Sequence, residues 1–374
     1  MTTSTQRRIV IAMIDGFGID YFQQTDMPVM REMASQGLFK TGKAIFPTLT
    51  NANNISIACG TWPEEHGVTA NCYYDPETGH ANYLESADFL TAPSIFRQAS
   101  ERGLKSALLT CKAKTAGILG ADAEISIAAE KPTTELVDKF GPAPPMYSAE
   151  INYWLWDIGL DILKNRPDIH LLYVHTTDYP MHMWPPEDQR SQEHLHEIDC
   201  YFGKIRQAFP ETTLLVTADH GMNFKTHCWD LAKACKNRGL EVQFSVSPLA
   251  DRLVKHHRGF GGVAYLYLKH NEDLPAAKAL LLNLEGIEEV LARSEAASRF
   301  RLMPSRIGDL VVIPDQNTVF GDLPVEKEAL ESTYRSHGSL YESDIPLLAY
   351  NGRHLFNDWD DVENNLHLTQ NLFR

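Results

Sequence analysis

Cysteine is scarce in this chain: six in 374 residues, at Cys59, Cys72, Cys111, Cys200, Cys228 and Cys235, with no C-x-x-C pair. That spacing excludes a zinc ribbon and a disulfide-stapled scaffold, and predicts reduced, mostly buried thiols. Long apolar runs are missing too. The longest, Ile9 to Ile14 and Val263 to Leu268, fall far short of the roughly 20 residues a membrane-spanning helix needs. Positive charge is in short supply: Lys and Arg number 34 against 49 Asp and Glu, a net charge of −15. Without a basic stripe to neutralise phosphates, a nucleic-acid polymer is not an expected partner. The apolar stretch behind Arg7-Arg8 stops at Asp15, too short for a signal-peptide core, so the expectation is a cytoplasmic protein with no membrane partner. There are no internal repeats, and the densest proline cluster, Gly141-Pro-Ala-Pro-Pro145, reads as a loop.

What is present is globular. Apolar residues make up 43% and charged residues 22%, which excludes a disordered chain. The length suits roughly two domains, or one large α/β unit with an insertion, at about 100–200 residues per domain. Arg8 to Ile14 is a continuous β-branched run, the pattern of a central strand buried on both faces. Further strand-like runs are Ser106 to Thr110, His170 to His175 and Thr213 to Thr217. Helical patterns lie at Met27 to Gln36, Ala92 to Gly103, Ala149 to Asn165 and Gln189 to Ala208. This alternation predicts a mostly parallel central sheet with helices on both faces. From about Gly221 the texture changes. Strands are expected at Gly262 to Lys269, Ile287 to Ala292 and Gly308 to Pro314, and helices at Leu274 to Leu284 and Ser294 to Phe300. The expected division is a core of 1–225 and 331–374 around an inserted α+β cap of 226–330.

Asp and His recur where these strands end. Asp15 precedes a glycine after the first strand, and an α/β sheet places its ligands at that edge. Asp178 and His182 stand four apart, so a helical turn puts both on one side, as two ligands of one metal require. Asp219-His220 follows another strand and is released by Gly221, and His337 precedes Gly338. Each fragment alone is ordinary turn chemistry. Together they are three carboxylates and three histidines on one predicted edge. Mixed Asp/His ligation suits zinc, and six such groups suit two ions better than one. Two metals about 3.5–4 Å apart serve in-line displacement at phosphorus. A hydroxyl nucleophile for it would lie within Phe46-Pro-Thr48-Leu-Thr50-Asn-Ala-Asn-Asn54, ahead of a helix read from Ile55 to Gly60. N-capping is the plainer use of such Thr and Asn residues.

In order along the chain, Asp15-Gly, Pro47-Thr-x-Thr50-x-x-Asn53, Gly60-x-x-Pro63-x-x-His66-Gly67, Asp178-x-x-x-His182, Ala218-Asp-His-Gly-Met222 and Ser336-His337-Gly338 resemble the alkaline phosphatase superfamily. They look most like its nucleotide pyrophosphatase/phosphodiesterase branch. Within that branch, Gly67 to Gly79, Leu109-Thr-Cys-Lys112-Ala-Lys114, Lys255-His-His257 and Gly308 to Val312 are similar to phosphonoacetate hydrolases. The resemblance implies an alkaline-phosphatase-like fold and two zinc ions. One would be held by Asp178, His182 and His337, the other by Asp15, Thr50, Asp219 and His220. It also implies Thr50 as nucleophile, Asn71 on the phosphonyl oxygen, and Lys112 and Lys114 on the substrate carboxylate.

The implied reaction is hydrolysis of the C–P bond of phosphonoacetate to acetate and phosphate through a phosphothreonine. The alternative is a phosphodiesterase or nucleotide pyrophosphatase on the same two-metal core. Expected partners are a small anionic phosphonate or phosphodiester and a second copy of the chain as a homodimer. His256-His257, His66, His175 and His227 read as surface or hydrogen-bonded histidines rather than ligands. Tyr153-Trp154-Leu-Trp156 and Trp184 read as packing.

Overall fold

The computed structural model describes residues 7–251 and 255–373. Its centre is a seven-stranded sheet. In chain order the strands are β1 (Ile9–Met13), β2 (Leu38–Lys43), β3 (Lys105–Thr110), β4 (Ile125–Ala128), β5 (Ile169–His175), β6 (Thr213–Thr217) and β7 (Asp344–Tyr350). Across the sheet they run β2-β7-β6-β1-β5-β3-β4. From β6 to β4 every pairing is parallel, while β7 runs antiparallel to both β6 and β2. This is the mostly parallel α/β sheet the sequence predicts.

The first strand shows why helices cover both faces. Side chains alternate along a strand. Val10, Ala12 and Ile14 enter one core with Trp154, Leu155, Ile198 and Phe202. Ile9, Ile11 and Met13 enter another with Ile55, Ile57, Phe96 and Ala99. Helices Pro28–Gln36, Glu150–Asn165 and Gln189–Ala208 cover the first, and Thr50–Cys59 and Ile95–Glu101 the second.

Three differences from the sequence reading have local causes. The expected helix over Ala92 to Gly103 contracts to Ile95–Glu101, because Ser94 caps it by accepting from the Arg97 N–H. Strand β7 is not legible in the sequence because Pro346 interrupts its apolar run. Pro346 faces Thr41 of β2, and pairing with β6 begins only at Leu348, so no bond between β7 and β6 is lost to the proline. The helix read from Ile55 begins instead at Thr50. Asn53 does not cap it. Its side chain bonds Ile45 N, Ile45 O and Pro47 O, tying down the loop ahead of the helix.

A second sheet, all antiparallel, joins Val242–Val246, Ala264–Leu268, Leu310–Pro314 and Ile287–Ala292 in that order. Helices Leu274–Leu282 and Arg293–Phe300 accompany it. Val263, Tyr265, Val311 and Ile313 pack against Ile45, Phe46, Leu49 and Ala52, the segment that carries Thr50. All six cysteines are free, five of them buried. Among the described residues no helix is long and apolar enough to cross a membrane.

One buried ion pair fixes the chain just past His337. Lys225 Nζ lies 2.8 Å from Glu342 Oε1, both side chains fully buried. Glu342 also accepts from Asn223 Nδ2 and from the N–H and hydroxyl of Ser339. Burial pushes the Glu342 carboxyl up, but Lys225 and these donors outweigh it and hold it below its ordinary value of 4.5. A depressed carboxylate stabilises the fold above its unfolded pKa, and that stability is lost as pH falls through the folded value. Glu342→Gln is therefore expected to cost about 3–5 kcal/mol at pH 7. The gap to wild type should close as pH is lowered past about 4. Thermal unfolding of both proteins across that range checks it.

Candidate metal centre and adjoining anion pocket

Strand register gathers the site. Met13 lies beside both His175 and Thr217, and Thr110 beside His175, so β1, β3, β5 and β6 end level. Asp15, Lys112, Asp178 and Asp219 follow within three residues of those ends. His337 arrives from outside the sheet, one residue past a two-residue strand (Arg335–Ser336) paired with Asn223–Phe224. Asp15, Asp178, His182, Asp219, His220, His337 and Thr50 are all buried.

Their hydrogen bonds point the same way. His182 Nδ1 lies 3.0 Å from Arg335 O, His220 Nδ1 2.9 Å from Gly221 O, and His337 Nδ1 2.7 Å from Thr48 O. A carbonyl can only accept, so each Nδ1 carries the proton and each Nε2 presents a lone pair. Metal-binding histidines are oriented in this way. His182 Nε2 lies 3.1 Å from Asp178 Oδ2. His220 Nε2 lies 3.3 Å from Asp219 Oδ2, 3.5 Å from Asp15 Oδ1 and 3.3 Å from Thr50 Oγ1. The His220 and His337 rings stack with centroids 3.5 Å apart.

Among the described residues, Asp15 Oδ1, Asp178 Oδ1, Asp219 Oδ2 and His337 Nε2 have no hydrogen-bond partner. Buried polar atoms left unpaired are costly, and four converging here fit cations. The ligand atoms of Asp178, His220 and His337 lie within 4.8 Å of one another, as do those of Asp15, Asp219 and His220.

The charges bear this out. Burial and the neighbouring Asp178 and Asp219 push Asp15 up to about 7. Burial likewise raises Asp219 to about 6. Asp178 goes the other way: burial raises it, but Lys112, His182 and His256 together hold it well below the carboxylate range. Burial, with His220 and His182 nearby, drives His337 well below its ordinary value. Three crowded carboxylates that are costly to ionise unaided, beside imidazoles presenting Nε2 lone pairs, are groups that a divalent cation would relieve.

His175 belongs beside the cluster rather than in it. Tyr173 OH donates to Asn54 Oδ1, which fixes the Asn54 amide so that its Nδ2 donates to His175 Nδ1. His175 Nε2–H then donates to Asp15 Oδ2 at 3.2 Å. The hydrogen-bonded reading holds for it, as it does for His66, bonded to Ser56 Oγ, and His227, bonded to Thr318 Oγ1. Arg335, which no motif flagged, donates to Met181 O, Met222 O and Tyr21 Oη, and so joins the His182 turn to the chain past His220.

The two lysines stand beyond the end of β3, where the chain turns into a helix. Lys112 immediately precedes helix Ala113–Leu119 and Lys114 sits in its first turn. Lys112 Nζ lies 3.7 Å from Asp15 Oδ2 and 3.8 Å from Asp178 Oδ1. Burial lowers its pKa, but those carboxylates outweigh burial and raise it. Lys114 pairs with Asp251, both buried. The two lysines line a cavity of about 240 Å³ with Asp251, Tyr147, Thr177 and His256. Asn71 is buried at the head of the Cys72–Asp75 strand and donates to Leu249 O; its Oδ1 has no partner among the described residues. It makes no hydrogen bond to the Asp/His cluster among those residues.

His256 departs from the surface or hydrogen-bonded reading. Its side chain is buried and neither ring nitrogen has a hydrogen-bond partner among the described residues.

Residues 9–339 match the model of the type I phosphodiesterase / nucleotide pyrophosphatase family, and the chain belongs to that family. Within it, the fold is similar to phosphonoacetate hydrolase from Sinorhizobium meliloti 1021 in complex with phosphonoacetate. The TM-score is 0.88 at 26% identity, covering 97% of this chain and 94% of that one. A bis(5'-adenosyl)-triphosphatase of Xenopus laevis is 23% identical across 94% of this chain and 73% of its own length. A venom phosphodiesterase of Crotalus durissus collilineatus is 26% identical across 58% of this chain, and the match spans 26% of its length.

Proposed function

We propose that this hydrolase cleaves the C–P bond of phosphonoacetate, giving acetate and phosphate through a phosphothreonine on Thr50. The observation that carries the reading is the pair Lys112 and Lys114 in one cavity, with Lys112 within 4 Å of two carboxylates of the Asp/His cluster. An anion clip beside a phosphoryl site suits a substrate charged at both ends. Asp178, His182 and His337 would hold one zinc ion, and Asp15, Thr50, Asp219 and His220 the other. Bound there, the ions supply Lewis-acid charge to phosphoryl oxygens and acidify hydroxyl groups.

The remaining steps belong to the chain. Thr50 heads a ten-residue helix, so first-turn N–H groups face a phosphoryl oxygen placed at its hydroxyl. Asn71 would donate to a second phosphonyl oxygen. The Thr50 hydroxyl gives its proton to solvent and its oxygen forms a bond to phosphorus while the P–C bond breaks, the P–C electron pair moving onto carbon and into the carboxylate as an enolate. Lys112 and Lys114, with side chains 17% and 8% exposed, stabilise that charge. The carbon takes a proton from solvent, and water then displaces the Thr50 oxygen from phosphorus. Residues 226–330 would cap the site, in a cytoplasmic enzyme that could act as a homodimer.

Family membership supports a second reading, a phosphodiesterase on the same core. Phosphate release by zinc-loaded protein from phosphonoacetate, run beside a nitrophenyl phosphodiester and a chelator control, separates the two. The expected result is fast release from phosphonoacetate, lost with chelator and restored by zinc. Turnover of the diester alone would replace the phosphonate by a diester and leave Thr50 in its role.

A further inference from the structure

Three histidines from two parts of the chain meet beside Asp178. The ligand atoms of His182, His256 and His257 lie within 4.8 Å of one another. They are not equivalent. His257 Nδ1 accepts the Gly259 N–H at 2.9 Å, so its proton sits on Nε2 and the ring has no lone pair to offer. His182 has its Nε2 lone pair directed at Asp178.

His256 is the unusual one. Its side chain is 3% exposed, and neither nitrogen has a hydrogen-bond partner among the described residues. A buried polar atom left unmet is costly. His256 Nε2 lies 3.6 Å from Asp178 Oδ1, beyond hydrogen-bond length, and that oxygen has no hydrogen-bond partner among the described residues either. The rings of Tyr147 and Tyr179, at 4.9 and 5.8 Å, hold the imidazole in place. Two unsatisfied atoms, both able to ligate, thus face each other beside His182.

Resting on the reading of Asp178, His182 and His337 as one ion's ligands, we propose that His256 is a further protein ligand of that ion, contributed by the segment after Val246 rather than by the main sheet. The same segment supplies Asp251, which pairs with Lys114. His256 itself lines the anion pocket with Asp251 and Lys114, so an ion bound through it joins a wall of that pocket to the phosphoryl site.

A crystal structure of the zinc-loaded full chain tests this directly. The expected result is a His256 nitrogen about 2.0–2.1 Å from the ion held by Asp178, His182 and His337. An ion on those three residues with His256 more than about 3 Å away overturns the inference and leaves the proposed function standing. No ion on Asp178 overturns both. In solution, His256→Ala is expected to raise the dissociation constant of one zinc equivalent about 10–100-fold, with the other unchanged. The visible spectrum of the cobalt-loaded protein should shift with it, because a nitrogen leaves the coordination sphere; His257→Ala should leave that spectrum as in wild type. An unshifted spectrum for His256→Ala overturns the assignment. If His256→Ala fails to fold, His256→Gln is read in the same way.

Discussion

Thr50→Ala is expected to lower phosphate release by about 10⁴-fold or more while the protein keeps nearly its full zinc content. The two halves of that result have separate causes. Turnover collapses because no other hydroxyl occupies the head of the Thr50–Cys59 helix, the residue after it being Asn51. Metal is retained because Asp15, Asp219 and His220 still converge, with ligand atoms within 4.8 Å of one another. Thr50→Ser should restore part of the rate, since it returns an oxygen to the same position. Acid-quenched wild-type protein should carry a phosphoryl group on the peptide containing Thr50, and the alanine variant should not. A variant that turns over at near wild-type rate would remove Thr50 as the nucleophile.

The prediction depends on how the sheet aligns its strand ends, and that alignment was largely legible in the sequence. A β-branched run closed by Asp15-Gly16, another closed by Ala218-Asp219-His220-Gly221, and the 170–175 run ahead of Asp178 announce buried parallel strands with polar residues at one edge. Register converts this into proximity, because strands that end level bring forward residues that are far apart in sequence. What stayed hidden depends on partners rather than on pattern. Arg335 and Glu342 look like ordinary charged residues in sequence. Their roles arise from the carbonyls, hydroxyls and Lys225 that the fold brings to them. His175 and His256 are a matched case. Both have buried imidazoles near a strand-end carboxylate, yet Asn54 and Asp15 satisfy one and nothing described satisfies the other. The geometry of the lysine segment is hidden for another reason. Thr-x-Lys-x-Lys at the end of a strand suggests alternation, but the chain turns into a helix at Ala113, so the two ammonium groups reach one cavity by different routes.

That difference in route predicts that the two lysines will not behave alike. Lys114 is tied to Asp251 and is not paired with the Asp/His cluster. Burial lowers its pKa against the pull of Asp251, so its charge is maintained by a carboxylate nearby. Lys114→Ala is expected to lower kcat/KM for phosphonoacetate about 30- to 1000-fold, the loss of one partner from a buried charge pair, about 2–4 kcal/mol. A nitrophenyl phosphodiester has no carboxylate for Lys114 to hold, so its kcat/KM should fall by less than about threefold, an energy below 0.7 kcal/mol. Lys112 lies within 4 Å of Asp15 and Asp178, where it offsets the charge of residues both substrates need. Lys112→Ala should therefore impair both substrates, the phosphonate more. Melting temperatures of the variants guard against a trivial loss, because removing Lys114 leaves Asp251 buried without that partner, and Lys114→Met gives a second variant that keeps the packing of the stem. Equal losses on the two substrates for Lys114→Ala would take the carboxylate away from this pocket. A loss confined to phosphonoacetate would show that the pocket recognises the acid half of the substrate while the Asp/His cluster handles the phosphorus.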